Sequence, residues 1–458
     1  MATQKRAIRL VATGARLLVG AAVAVGCVIG VTAAVAAPWP TLANEPAQVE
    51  VTPSAADSTL VCAGDFRALG RNTQDAAEMS AAGPARLTLD SNGPREESTL
   101  TASNMPDGFT GPQRIVASAE QNSATLVGAA ESIELVADDL TGLAASACRE
   151  PSTESWLVGG SVETGTNDII ILSNPGSVTA TATLTVFGHE ESASTTLVPA
   201  ETQVAVPLAS IAAGMDGPVV RVTAKGAPVR AVMQSSLIRT LDPTGIDLQD
   251  TAGIPSTALV FAGVQVLDES DETALTVMRL MATDTDTVAS VTVSGDGEET
   301  RLPPISLLAG TPVELELEDL EPGVHVVTVE AYGSITGAIR QTTRVGAGSD
   351  FAWMTPAPVI AGETLIAVPE GPAPRIHLVN PSAEDVSASL APTNGAAAEE
   401  IIVPGGGFVV VDVAGGRVYA LVADGTLHAA VIMSGTDAIA GWPVWPAASA
   451  QDPITVYP

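Results

Sequence analysis

Basic residues are scarce outside the first 16 positions of this 458-residue chain. The chain has 20 Lys and Arg against 52 Asp and Glu, and four of the basic residues precede a hydrophobic run (Lys5, Arg6, Arg9 and Arg16). The remainder has 16 basic and 52 acidic residues, a formal charge of −36. Such an acidic polypeptide repels phosphate backbones, which excludes DNA and RNA as expected partners.

Aromatic residues are also few, at 3% of the chain. Hydrophobic residues make up 46% and charged residues only 16%, which excludes a disordered acidic tail. The length corresponds to roughly three domains of about 150 residues. We therefore expect large cores built from Ala, Val, Leu and Ile.

The common catalytic and phosphate-binding motifs are missing. We find no Gly-x-Ser-x-Gly, no His-Glu-x-x-His, no P-loop and no Gly-x-Gly-x-x-Gly. We expect a protein that is not an enzyme, with no catalytic residues, no cofactor and no bound metal. An envelope hydrolase is the less favoured alternative, because a Ser-His-Asp triad is assembled in space and leaves no local signature.

Histidines and acidic clusters are the remaining candidates for metal or proton chemistry. His189 follows a predicted strand in a polar turn, and the other three histidines are predicted to face outward from strands (His325, His377 and His428). Calcium needs six to eight oxygens, and neither 268–272 nor 284–286 has the Gly and terminal Glu of an EF-hand loop. We expect solvated turns there, with inter-domain calcium as the alternative.

Residues 17–37 form 21 consecutive uncharged positions, long enough to span a bilayer as a helix. The positive flank places residues 1–16 in the cytoplasm and the C-terminal region outside, as in a single-pass signal anchor of the cell membrane. A secreted protein cleaved near Ala36 is the alternative, since Ala34-Val35-Ala36 resembles a cleavage site. A lipoprotein acylated at Cys27 is less favoured, because the apolar run continues for ten more residues.

Only Cys62 and Cys148 remain after this span. In an oxidising compartment such a pair predicts a disulfide, with two free thiols as the alternative. The bond would close a loop of about 87 residues and contribute roughly 4.5 kcal/mol in the chain-entropy description.

Internal repetition is the most informative feature of the remaining chain. Three similar openings occur at 169–175, 278–283 and 376–381, and the first and last contain Asn-Pro. Each leads into an alternating strand, as expected for a strand with one buried face. The predicted inward sets are Val178, Ala180, Ala182, Leu184 and Val186, then Val288, Ser290 and Thr292, then Val386, Ala388 and Leu390.

Two further blocks recur in each copy. A Pro or Gly turn precedes an alternating strand after Leu197, Leu307 and Ile401. Two alternating runs then flank Lys225-Gly226, Tyr332-Gly333 and Asp424-Gly425, which predicts three hairpins.

Units of about 100 residues with several short strands are typical of β-sandwiches. The sequence predicts a mainly β protein with an N-terminal transmembrane helix followed by tandem immunoglobulin-like β-sandwich units. We also expect a short helix capped by Asp139 through Leu143 to Ala147. The predicted parts are a cytoplasmic segment (1–16), a membrane span (17–37), a Pro/Ser/Thr-rich stalk (38–60), a β-rich region (61–150), three sandwich repeats (151–250, 255–347 and 352–446) and a tail (447–458).

One block carries a family resemblance. Cys148 is followed by Ser155-Trp156-Leu157-Val158-Gly159-Gly160 and then by the first Asn-Pro strand. This arrangement resembles a family of uncharacterised actinobacterial envelope proteins, membrane-anchored or secreted, that is defined as a domain of unknown function. The resemblance implies an N-terminal membrane segment, an early cysteine near position 62 and repeated β units, and it brings no catalytic residues.

Three tryptophans are candidates for binding a ligand or filling a domain junction (Trp156, Trp442 and Trp445). The expected function is a non-catalytic scaffold or adhesion-like protein of the cell envelope, with the membrane as one partner through residues 17–37. We expect a second partner, which is another envelope protein or cell-wall glycan. If this partner is glycan, the chain is a carbohydrate-binding protein.

Overall fold

A computed structural model describes residues 2–36, 49–51, 55–71, 78–103, 105, 111–120, 123–266, 276–295, 297–317, 320–344, 346–447 and 454–456. Its contacts divide the chain into two compact units, one of Met1–Pro53 with Asp452–Pro458 and one of Ser54–Gln451. Most of the predicted stalk and tail lies outside the described residues, as does the acidic cluster 268–272.

The N-terminal unit contains helix α1 (Ala2–Ala36) and strand β1 (Val49–Val51). The window Leu18–Val35 of α1 has a mean hydropathy of 2.4 and is fully exposed, so it is long and apolar enough to cross a membrane. A signal sequence has the same properties at this position, and Cys27 is exposed on the helix.

The larger unit begins with a β-rich N-terminal region. Its strands are β2 (Ser58–Val61), β3 (Phe66–Leu69), β4 (Met79–Gly83), β5 (Arg86–Ser91), β6 (Arg95–Thr99), β7 (Thr101–Ala102), β8 (Gln113–Ala117), β9 (Val127–Val136) and β10 (Thr141–Ala147). The predicted helix through Leu143 to Ala147 is wrong, because these residues form β10 and pair with β9. Both faces of β10 are buried in hydrophobic clusters, and this burial overrides the helix propensity of its alanines.

Three repeats follow. The first contains β11 (Glu154–Leu157), β12 (Ile169–Asn174), β13 (Ala180–Phe187), β14 (Ser192–Val198), β15 (Thr202–Pro207), a short 3-10 helix (Leu208–Ser210), β16 (Val219–Lys225), β17 (Arg230–Arg239) and β18 (Asp242–Gln249). The second contains β19 (Ser256–Val266), β20 (Val277–Ala282), β21 (Thr287–Gly295), β22 (Glu298–Arg301), β23 (Ile305–Leu307), β24 (Val313–Glu316), β25 (Gly323–Thr342) and β26 (Phe351–Met354). The third contains β27 (Val359–Val368), β28 (Arg375–Val379), β29 (Val386–Pro392), β30 (Glu399–Val403), β31 (Phe408–Asp412), β32 (Arg417–Ser434) and β33 (Ile439–Pro443). A last strand, β34 (Ile454–Val456), belongs to the N-terminal unit and pairs there with β1.

The three repeats share one antiparallel pairing pattern built on a crossing segment, which is β16–β17, β25 or β32. The first half of this segment pairs with the third strand of the repeat (β13, β21 or β29). Its second half pairs with two strands of the repeat. One is the second strand, which contains the recurring opening sequence (β12, β20 or β28), and the other is the last strand (β18, β26 or β33). The N-terminal region has the same framework in abridged form, with β8 between β2 and β6 and β9 between β5 and β10.

The three predicted hairpins are wrong, because the two halves of each crossing segment pair with different strands and not with each other. In the first repeat β16 and β17 lie in separate sheets that share one hydrophobic core. Two alternating runs around a Gly also fit a chain that crosses from one set of strands to another, because each run still buries one face. The sequence pattern therefore does not distinguish this crossing from a hairpin.

The predicted inward sets are confirmed in part. The third set is buried throughout, and so is the first except for Val178, which is 54% exposed. The second set has the wrong phase: Val288 is 41% exposed, whereas Ala289, Val291 and Val293 are buried in the core. A shift of one residue turns every side chain of a strand to the other face.

The Asn-Pro motif has a structural role at the end of the opening strand. The buried amide of Asn174 donates to the carbonyl oxygens of Val178 (2.8 Å) and Val198 (2.9 Å). Asn380 does the same with Glu384 (2.8 Å) and Val403 (3.0 Å). Each side chain therefore holds a turn against the neighbouring strand.

The four β parts of the larger unit contact one another in a closed series. Hydrophobic clusters join the N-terminal region to the first repeat, the first repeat to the second, and the second to the third. The third repeat shares its core with residues of the N-terminal region, which include Leu126 and Leu143. The N-terminal region and the three repeats are thus parts of one compact body.

Asp350 lies where these parts meet and is fully buried. Its carboxylate accepts hydrogen bonds from the backbone N–H groups of Leu143 (2.9 Å), Ile246 (3.1 Å) and Ile439 (3.0 Å). These donors lie in β10, β18 and β33, and Asp350 itself immediately precedes β26. One side chain therefore connects the N-terminal region with all three repeats.

Candidate functional site

A cavity of about 360 Å³ lies where the N-terminal region meets the first and third repeats. Its wall is largely apolar and includes Leu60, Leu365 and Val444, and it also contains Cys148, Arg149 and Trp445. Several residues singled out from the sequence therefore come together here. This volume is within the range of small-molecule sites in proteins.

The predicted disulfide between Cys62 and Cys148 is confirmed. Glu131 lies beside it, and its carboxylate accepts hydrogen bonds from the backbone N–H groups of Ala63 (2.5 Å) and Gly64 (3.1 Å). Burial raises the pKa of Glu131 to about 7. Because the disulfide removes both thiolates, these three residues do not form a thiolate metal site.

A buried charge network borders the same cavity. The carboxylate of Asp250 pairs with Arg149 at 2.8 Å and with Arg230 at 2.9 Å. Burial lowers the pKa of Arg149 to about 10, although Asp250 opposes this shift. The network joins the segment after β10 to the first repeat, and breaking a buried pair of this kind is strongly destabilising.

The three candidate tryptophans lie in different surroundings. Trp156 is buried between the first and second repeats and stacks on Phe187, with 5.7 Å between the ring centroids. Trp442 is buried in the core of the third repeat and also borders the cavity. Trp445 is partly exposed and lines the cavity, with the Arg149 guanidinium carbon 3.2 Å from its ring centroid. Among the described residues, the indole Nε1 of Trp445 has no hydrogen-bond partner.

The sequence block around Trp156 is explained by the junction between the first two repeats. A side chain at Gly159 would meet the Gln249 amide within 2.8 Å, and Gly160 has a φ of +90°. Gly160 therefore favours glycine through its backbone conformation, whereas a side chain at Gly159 would have to displace the Gln249 amide. The guanidinium of Arg279, from the second repeat, donates to the carbonyl oxygens of Val158 (2.8 Å) and Gly160 (2.9 Å).

The prediction that three histidines face outward is wrong. His325 and His428 are 8% exposed, and each places one ring nitrogen within hydrogen-bond distance of a backbone carbonyl oxygen. His377 is fully buried, and burial next to Arg375 lowers its pKa to about 4. None of the four imidazoles, all in the described part of the chain, forms an ion pair with a carboxylate.

The acidic turn 284–286 has structural hydrogen bonds. Asp286 accepts one from the backbone N–H of Ala309 at 2.9 Å, and the hydroxyl of Thr283 donates to Asp284 at 3.3 Å.

The residues that organise the cavity and the centre of the molecule were not identified from the sequence. Arg149, Arg230, Asp250 and Asp350 belong to no motif, and their partners are far away in the chain. A usable signal is a single charged residue next to an apolar run, as for Arg230 before Ala231-Val232-Met233. Such a charge is almost never buried without a partner.

Comparison with known families identifies one match. The model of a family of unknown function, DUF5719, matches residues 102–414. The match begins after Cys62 and ends before β32, so it covers the first two crossing segments and Asp350 but only part of the cavity wall. No curated protein and no solved structure matches the chain.

Proposed function

We propose that this chain, which belongs to the DUF5719 family, is a non-catalytic scaffold of the cell envelope. In this proposal α1 anchors the chain, and the larger unit lies outside the membrane and binds another envelope protein. The apolar helix and the disulfide support an extracytoplasmic location, since disulfides persist in oxidising compartments. The resemblance to actinobacterial envelope proteins supports the same placement.

The observation that carries the proposal is the closure of four β parts around Asp350. A body held together by shared cores and a buried carboxylate is well suited to present fixed loops and strand edges to a partner. Fold alone does not determine function, so the proposal needs a direct test.

Crosslinking in cells provides this test. The tagged, membrane-retained protein is crosslinked in the native host, purified and analysed by mass spectrometry. Reproducible crosslinks between the larger unit and one envelope protein are expected. Failure to recover any protein repeatedly would contradict the scaffold role.

Cell-wall carbohydrate binding is the second candidate, because Trp445 lines the cavity and has an unpartnered indole N–H. Tryptophan faces can stack on sugar rings, and the N–H can donate to a hydroxyl. In this case Trp445→Ala abolishes pull-down of purified cell-wall glycan by a protein that keeps its thermal stability. A Trp445→Ala protein that still binds glycan would contradict this assignment.

A further inference from the structure

A second cavity, of about 480 Å³, lies between the first and second repeats. Four arginines contribute to its wall (Arg239, Arg279, Arg340 and Arg344), and so do four acidic residues (Glu163, Asp168, Asp216 and Glu314). The chain has only 16 basic residues after position 16, so a quarter of them line one cavity of a strongly acidic protein. The second cavity is separate from the one described above.

Two of these arginines have protein partners. Arg279 pairs with Glu314 at 2.6 Å and donates to three backbone carbonyl oxygens across the junction. Arg344 pairs with Asp437 at 2.9 Å. Their positive charges are therefore used within the protein.

Arg340 differs from these two. Its Nε is buried and has no hydrogen-bond partner among the described residues, and no ion pair in that part of the chain includes it. Its guanidinium carbon lies 5.9 Å from the ring centroid of Trp353, and burial lowers its pKa. Leaving this buried N–H donor without an acceptor is costly, and the rest of the partly exposed guanidinium carries four further N–H donors.

The remaining wall offers groups that recognise hydroxyls. The side chains of Thr166, Ser236 and Thr244 each donate to a backbone carbonyl oxygen, so their own oxygens can accept from a ligand. Asp168 also lines the cavity, and its carboxylate accepts from the backbone N–H of Ser161. Arg239 is exposed and provides a second guanidinium with no ion pair in the described chain.

We propose that this cavity binds a small polyhydroxylated oxyanion, a sugar acid or a sugar phosphate, with Arg340 as the anchor for its anionic group. A planar guanidinium matches the two oxygens of a carboxylate or phosphate, and such bidentate contacts are the strong ones. The hydroxyl and carboxylate groups on the wall then accept from the sugar hydroxyls. This inference does not rest on the scaffold role, because it concerns a different junction.

Isothermal titration calorimetry on the full-length protein in detergent tests the site. The probes are glucuronate, glucose 6-phosphate, inorganic phosphate and neutral glucose. We expect saturable binding of glucuronate or glucose 6-phosphate, and the probe that binds identifies the anionic group as carboxylate or phosphate. Arg340→Gln is expected to weaken this binding by about tenfold or more.

Arg301→Gln is the matched control, since Arg301 lies in the same repeat, is exposed and pairs only with Glu299 in the described chain. It should bind as the wild type does. Arg239→Gln changes an exposed residue that has no ion pair in the described chain, and it should weaken binding by a smaller factor. Absence of binding for all probes, full binding by both cavity variants, or equal affinity for inorganic phosphate and glucose 6-phosphate would overturn the proposal.

Discussion

Asp350 shows at the scale of one residue how distant segments are joined. Its carboxylate accepts three backbone N–H groups from three different β parts and is fully buried. Asp247 lies nearby in the same region, where its Oδ2 accepts from the backbone N–H of Trp353. Burial raises the pKa of both carboxyl groups, to about 7 for Asp350. Neither residue belongs to a recognisable motif, so sequence analysis could not assign this role.

Substitution of Asp350 by Asn should destabilise the protein, because an amide has one acceptor oxygen and cannot serve all three donors. Each buried N–H left without an acceptor costs about 1–3 kcal/mol. Urea unfolding measures the loss. Asp412→Asn is the control, since its side chain is 86% exposed, and its stability should match the wild type. Equal stability of both variants would refute the role of Asp350.

Buried carboxyl groups also predict an unusual pH dependence of stability. Burial raises the pKa of Glu131 and Asp350 to about 7 and that of Asp168 to about 6. Between about pH 4 and 7 the folded chain therefore binds protons more tightly than the unfolded chain, and its stability decreases as the pH rises through this window. We expect the Tm to be about 3 °C or more lower at pH 7.5 than at pH 5.

The matched pair Glu131→Gln and Glu134→Gln separates this effect from general charge repulsion. Glu134 is exposed on the same strand, and its substitution should leave the slope unchanged. Glu131→Gln removes one of the three titrating groups and should make the profile less steep between pH 5 and 7.5. A profile with the same slope in both variants speaks against burial of Glu131 as its cause.

At the scale of elements, sequence periodicity predicted the strands better than their partners. The alternation at Val386, Ala388 and Leu390 was assigned to the correct face, because no large apolar residue competes on the other face. In the second repeat Val288 misled the assignment, although Ala289, Val291 and Val293 form the more hydrophobic alternation. The crossing segments were mistaken for hairpins because pairing partners depend on contacts far away in the chain.

The phase of β21 can be tested with two valines on opposite faces. Val291 is fully buried and Val288 is 41% exposed. Val291→Ala should therefore cost about 2 kcal/mol of stability, and Val288→Ala about 0.5 kcal/mol or less. Thermal and urea unfolding measure both values. The reverse order would show that the phase predicted from the sequence is the correct one.

The Asn-Pro turns give a prediction at the same scale. Asn174→Ala leaves the carbonyl oxygens of Val178 and Val198 without their buried donor, so we expect a loss of about 1–3 kcal/mol. Asn394→Ala, in an exposed turn, is the control and should change stability by about 0.5 kcal/mol or less. If urea unfolding finds both substitutions equally mild, Asn174 does not hold the turn.

At the scale of the whole molecule, the sequence indicated the repeats and the disulfide but not their arrangement. Residue spacing alone does not distinguish a linear array from a compact arrangement. The contacts that decide between them join Leu143 with Asp350 and Leu126 with the core of the third repeat. Such pairs are hundreds of residues apart, and no local pattern records them.

The N-terminal region and the three repeats form one body joined at Asp350. The most direct measurement is hydrogen exchange followed by mass spectrometry on the full-length protein, at increasing urea concentration, in peptides that cover β10, β18, β26 and β33. We expect the four strands to open with one common free energy, and Asp350→Asn to lower this value in all four together. A different result would show that the parts are independent. In that case one repeat opens at lower urea while the other strands stay protected, and Asp350→Asn affects only the adjacent strand β26.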